Sequence, residues 1–283
     1  QYLEAACLLP PITKGRDCII AVTPFFVQKG FCSCTTELCM LKIGSFSSNL
    51  NQTGTTLTDV TPEEPSESLE QALEKYEISL EGYQVEMLRD YCELLWQWNE
   101  RMNLTRHTDY DRFVSRDVVD TLELADRIDT GQEVLDFGTG GGVPGIPLAI
   151  VRPDLQVSLC ESVGKKASAV DDMVQKIGLP VPVMNVRVEK LLEDLNYDVL
   201  VCRAVGPLWK LGLWLQPHWH LFGQLLAIKG PNWTEERKAA RHRGYMQNVN
   251  LRMIHSYPMV GTESESYILK LWSAMKEEPP HVE

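Results

Sequence analysis

The stretch VLDFGTGGGVPGIPLAI, residues 134–150, constrains what this chain can fold into more than any other part of it. Val134 to Phe137 read as a short strand, followed by a glycine-dense turn and an apolar helix start. Pro147 is tolerated there because the first-turn N–H groups of a helix have no intrahelical partner. Gly138, Gly140, Gly141 and Gly142 let the backbone turn sharply and let a ligand approach without a Cβ in the way. Glu161 closes the next strand, where a carboxylate in a doubly wound sheet can accept both hydroxyl protons of a ribose. Gly140, Gly142 and Gly145 also satisfy G-x-G-x-x-G, so a nicotinamide dinucleotide has to be weighed. Asp136 favours a methyl donor over it. A carboxylate expected at the mouth of the loop would repel a pyrophosphate and attract the ammonium group of S-adenosylmethionine.

From residue 132 onward, short β-rich runs alternate with helical or loop segments: 133–137, 156–161, 181–185, 197–204 and 224–230. That alternation predicts an α/β fold, a doubly wound and mostly parallel sheet with right-handed crossovers. Two last runs, 251–259 and 266–272, flank a glycine-containing turn and can pair as an antiparallel edge, which makes seven strands. Two amphipathic helices precede the first strand. One is capped by Ser79 and carries Val85, Leu88, Tyr91, Cys92, Leu95, Trp98 and Met102; the other starts at Thr108 and runs to Ala125.

Residues 45–70 are rich in Ser, Thr, Asn, Gly, Pro and acids and too poor in large apolar residues to anchor a packed element, so they read as a disordered linker. Residues 1–44 are then an appendage of unassigned role, 71–275 the folded domain and 276–283 a tail. The appendage holds Cys7, Cys18, Cys32, Cys34 and Cys39, but without C-x-x-C spacing or a nearby histidine, so no metal site is expected. Its apolar run from 18 to 27 is broken by Pro24 and is too short to span a bilayer. A net charge of −12 argues against broad attraction to nucleic acid and suits a cytoplasmic enzyme, expected to be a monomer, while leaving room for local basic patches.

Several motifs in order resemble the bacterial small-subunit (16S) rRNA guanine-N7 methyltransferases, the glucose-inhibited division protein B family. They are WNERMNLT (98–105), RDVVDTLEL (116–124), DFGTGGGVPGIPLAIVRPD (136–154), ESVGKKASAV (161–170), VRVEKL (186–191), CRAV (202–205) and AIKG (227–230). The resemblance covers about residues 70–272. It implies a class I fold, S-adenosylmethionine as methyl donor, and donor contacts at Gly138, Val143, Val188, Glu189 and Arg203. Two positions depart from the family pattern: its usual histidine in the second helix is Asp117 here, and an expected basic residue near the last strand is Ser266.

Arg203 lies in an otherwise apolar strand and must either face the ligand crevice or pair with a carboxylate. Cys202 beside it raises a cysteine-nucleophile rival, but no Pro-Cys pair is present and packing is favoured. The Asp/Asn-Pro-Pro-aromatic signature of amino-methylating enzymes is also absent. Guanine N7 has a lone pair and no proton to lose, so no catalytic residue is required beyond those that align the substrates. For gripping small-subunit rRNA or the subunit itself, Lys229, Arg237, Lys238, Arg241, Arg243 and Arg252 surround the fifth strand, and Arg101, Arg106, Arg112 and Arg116 lie on the N-terminal helices. Trp233 or Tyr245 could stack an extruded base. A same-fold enzyme with another substrate, and a noncatalytic ribosome-binding protein, stay open.

Overall fold

The computed structural model describes Ser66 and residues 68–279; the appendage with its cysteines, and the proposed linker up to residue 65, lie outside the described residues. The chain enters through α1 (Leu69–Lys75) and α2 (Gly82–Asn99). A continuous helical segment follows: α3 (Tyr110–Arg112), a π-helical stretch (Phe113–Val118) and α4 (Val119–Ala125). Helix α1 was not foreseen and takes in Leu69 and Glu70.

The helix starts differ slightly from expectation. Glu81, not Ser79, caps α2 through a reciprocal capping box with Gln84, and Asp109, not Thr108, caps α3 by accepting from the Arg112 N–H. In each case the carboxylate stands one or two residues nearer the first helical turn.

Then come β1 (Glu133–Phe137), α5 (Gly145–Val151), β2 (Gln156–Cys160), α6 (Gly164–Lys176), β3 (Val183–Met184), α7 (Val188–Leu191), β4 (Tyr197–Arg203), α8 (Leu208–Leu215), β5 (Phe222–Lys229), α9 (Trp233–His242), β6 (Val249–Pro258) and β7 (Glu265–Ser273). They form one seven-stranded sheet in the order β3-β2-β1-β4-β5-β7-β6. The first five strands run parallel and β7 pairs antiparallel with both neighbours, as expected.

The central strands are buried on both faces, and alternate residues enter different cores. Val199 and Val201 of β4 join the layer of α2, α4, α5 and α6, while Leu200 and Cys202 join that of α8 and α9. In β5, Leu226 and Ile228 enter the first core; Leu225 and Ala227 enter the second. This parity decides where the polar residue at the end of each strand is sent. Among the described residues, no helix is long and apolar enough to cross a membrane.

Candidate active site

The order of strands reverses between β1 and β4, so the crevice of this sheet opens where their carboxyl ends diverge. The β1–α5 loop forms one side of it. Gly138, Gly140 and Gly142 all take positive φ (66°, 63° and 105°), the left-handed backbone that an L side chain resists. A Cβ on Gly138 would meet the Val205 methyls at 2.9 Å, so the exit of β4 closes directly over the loop. Over Gly140 the space is open, its nearest neighbour to a hypothetical Cβ being the Gly138 carbonyl at 3.9 Å.

Two carboxylates brace this turn. Asp136 shares strand parity with Val134, lies wholly buried under the loop, and accepts from Thr139 Oγ1 (2.6 Å) and the Gly145 N–H (2.9 Å) through one oxygen. Its other oxygen is buried with no partner. The expectation that Asp136 meets the donor at the loop's mouth is therefore corrected: it shapes the loop from beneath. Burial, offset in part by those two bonds, pushes its carboxyl up to about 6.

Glu161 lies at the end of β2, accepting from the Gly140 N–H (3.1 Å) and the Val163 N–H (2.8 Å), and Asn185 holds its carbonyl from the β3 side (2.8 Å). Tyr91 of α2 donates to the Gly141 carbonyl at 2.9 Å. Of the other expected donor contacts, Gly140 has open space above it, Gly138 lies against Val205, and Val143 and Val188 turn their side chains into the two cores. Glu189 is half-buried beside Arg187, 3.7 Å away.

Arg203 resolves in favour of a carboxylate. Strand parity sends it to the N-terminal helical layer, where its guanidinium bonds Asp117 (2.6 Å) and Asp120 (3.0 Å). Asp117 has no exposed side-chain surface and also takes the Nδ1 of His107 at 2.9 Å; Asp120 accepts from the Tyr257 hydroxyl at 2.6 Å. The aspartate that departs from the family pattern thus neutralises this arginine. Asp117 and Asp120 were not singled out from sequence as its partners, although their three-residue spacing puts them on one helical face.

The cationic set expected around β5 is held in different ways. Lys229 is buried, donating to the Gly206 carbonyl (2.6 Å) and pairing with Glu236 (2.6 Å), so it is committed internally. Lys238 is exposed and pairs with Glu235, Arg252 pairs with Glu278, and Arg243 stacks over Trp209 at 4.2 Å. Arg237 buries its Nε, and Arg241 is exposed. Trp233 packs against Tyr267, and Tyr245 is half-buried against Gly212.

The N-terminal arginines converge better. Arg106, Arg112 and Arg116 border a cavity of about 420 Å³ with Asp111, His107, Ser115 and the β6–β7 turn at Val260 and Gly261. Arg101 stands apart from it, over the Trp98 ring. The Cys202 thiol is buried and pushed up to about 12, which suits packing and not nucleophilic attack.

This strand order, with its antiparallel seventh strand, a glycine loop after β1 and an acid ending β2, defines a class I S-adenosylmethionine-dependent methyltransferase. The acids at the strand ends fit a cationic ligand: Glu161 and Glu189 stand beyond the ends of β2 and β3, and Arg203 is neutralised internally. A family model described as rRNA small subunit methyltransferase G matches residues 84–263, and the chain belongs to that family. It is 50% identical over 188 residues to the ribosomal RNA small subunit methyltransferase G of Rhodopirellula baltica, covering 66% of this chain and 81% of the relative. To the protein of the same name in Chromobacterium violaceum it is 39% identical over 166 residues, covering 57% and 78%.

Replacing Arg203 by Ala leaves the wholly buried Asp117 without its guanidinium and is expected to cost about 3–5 kcal/mol in urea unfolding at neutral pH. Asp136 carries a pH signature. A carboxyl raised in the fold holds its proton more tightly there than in the unfolded chain, so stability falls as pH rises from about 4 through about 6. Asp136→Asn is expected to flatten that decline, by roughly 2–3 kcal/mol across the window, in urea titrations run at stepped pH.

Proposed function

We propose that this protein transfers a methyl group from S-adenosylmethionine to N7 of a guanine in small-subunit (16S) rRNA. The observation that carries the reading is the commitment of the ionisable side chains beside the crevice. Asp117, Asp120, Asp136 and Glu161 each hold an internal bond, and Cys202 is buried. Such an edge is poorly equipped to remove a proton and well equipped to hold a shape. Guanine N7 suits it, because the in-plane lone pair attacks without any proton being lost.

S-adenosylmethionine, when bound, supplies a methyl group activated on a sulfonium. Gly138, Gly140 and Glu161 would hold its nucleoside part, and Glu189 would stand beside its adenine edge. The chain's own contribution to rate is then alignment, which can supply roughly 7–11 kcal/mol of a barrier when reacting atoms are held in near-attack geometry. The family name supports the RNA substrate, and the cavity bordered by Arg106, Arg112 and Arg116 supports phosphate contact along the same sheet edge as the glycine loop. The reading has the protein acting as a monomer in the cytoplasm on the small subunit or its RNA.

Incubation with methyl-labelled S-adenosylmethionine and small subunits lacking the modification, followed by digestion to nucleosides, is expected to give labelled N7-methylguanosine. Bound donor with no label in that nucleoside would favour another substrate or a noncatalytic role. The R106A/R112A/R116A variant is expected to raise KM for the subunit by about tenfold or more and to flatten its salt dependence, with S-adenosylmethionine affinity unchanged. An unchanged KM would remove this cavity from the RNA-contacting surface.

A further inference from the structure

The crevice between β1 and β4 has a second wall, and its construction is unusual. Residues 204–207 leave β4 through Ala204 at φ 56°, a left-handed conformation at a residue with a Cβ, and then press Val205 onto Gly138. A strained segment like this persists only when its surroundings hold it. It is pinned from both faces of the sheet. On one face, Arg203 just before it is locked by Asp117 and Asp120. On the other, Lys229 at the end of β5 donates to the Gly206 carbonyl at 2.6 Å and pairs at 2.6 Å with Glu236 of α9. The same Glu236 oxygen accepts from the N–H of Leu208, the first residue of α8, at 3.0 Å.

We infer that Lys229 and Glu236 are positioning residues for methyl transfer: through them β5 and α9 fix residues 204–207 as the wall against which the acceptor base is placed. The inference rests on the methyl-transfer reading above. Its logic is topological. At the point where strand order reverses, a ligand's reacting end is bordered by the loop leaving β1 and by the loop leaving β4. The first loop is held by Asp136 and Glu161; the second, by Arg203 and Lys229. A lysine with 8% of its side chain exposed, spent on one carbonyl and one carboxylate, is placed to hold a backbone and not to grip RNA.

The test measures single-turnover rates at saturating S-adenosylmethionine and saturating small subunits, donor affinity by calorimetry, and KM for the subunit. K229M is expected to slow methyl transfer by at least about tenfold, because small misplacements of reacting atoms are costly. Donor affinity and KM should stay within about threefold of the wild type, the pattern of an interaction that matters to chemistry more than to binding. K229R is expected to recover part of the rate. K229M/E236Q is expected to be no slower than K229M alone, since the two residues act as a unit.

E236Q keeps an acceptor for the Leu208 N–H and is the variant to read if K229M does not fold; it should slow transfer in the same way. A rate within about twofold of the wild type in the folded variants overturns the assignment. So does a fall in rate matched by an equal loss of donor affinity, or a raised KM at unchanged rate. A wild-type protein that methylates no guanine N7 counts instead against the proposed reaction, and takes this role for Lys229 with it.

Discussion

The arginine that ends the central strand holds the structure's two halves in register. Arg203 leaves β4 on the face of the N-terminal helices and is caught between Asp117 and Asp120, so the sheet and the α3–α4 segment are joined by a buried charge cluster as well as by apolar packing. Asp117 passes the connection to His107 in the α2–α3 loop, and Asp120 passes it to Tyr257 at the end of β6. A buried cluster of this kind adds little net stability over a well-packed apolar equivalent, but breaking it by removing one member is costly. It fixes a geometry: the exit of β4, the glycine loop it covers and the arginine-bordered cavity nearby all depend on where this guanidinium sits.

Around that point, carboxylates do different work according to burial. Asp136 has been taken out of water to shape a turn, and burial pushes its carboxyl up to about 6. Glu161 spends its oxygens on loop amides at the crevice, where it can also meet ligand hydroxyls. Asp117 and Asp120 cancel a cation. The overall charge of −12 gives no general attraction for RNA. On the proposed reading, RNA contact is local, at the cavity that Arg106, Arg112 and Arg116 border.

Much of this was legible in the sequence because strand formation depends on local pattern. The alternation of β-rich runs with helices, the glycine loop and the antiparallel edge all appear in the structure where the sequence places them, with β3 reduced to Val183–Met184. Helix α1 escaped because LEQALEK is short and lies beside a polar stretch. The π-helical turn at Phe113–Val118 has no compositional mark that separates it from an ordinary helix.

At the site, residue types were readable but their directions were not. Asp136 shares the parity of Val134 and Lys229 that of Leu225 and Ala227, so both point inward. Counting by twos from the apolar residues of each strand would have exposed this, whereas charge alone suggested ligand and RNA contact. The lone arginine in an apolar strand was the reverse case: its cost demanded an acid, and two acids three residues apart on one helix supply it.

The central claim is that this fold catalyses by alignment, with no side chain removing a proton from the acceptor. The most direct test is the pH dependence of the single-turnover methyl-transfer rate at saturating donor and small subunit. A rate that is flat between about pH 6.5 and about pH 8.5 is the predicted result. A limb in that range that disappears on replacing one carboxylate or histidine, with both substrates still bound, would contradict it.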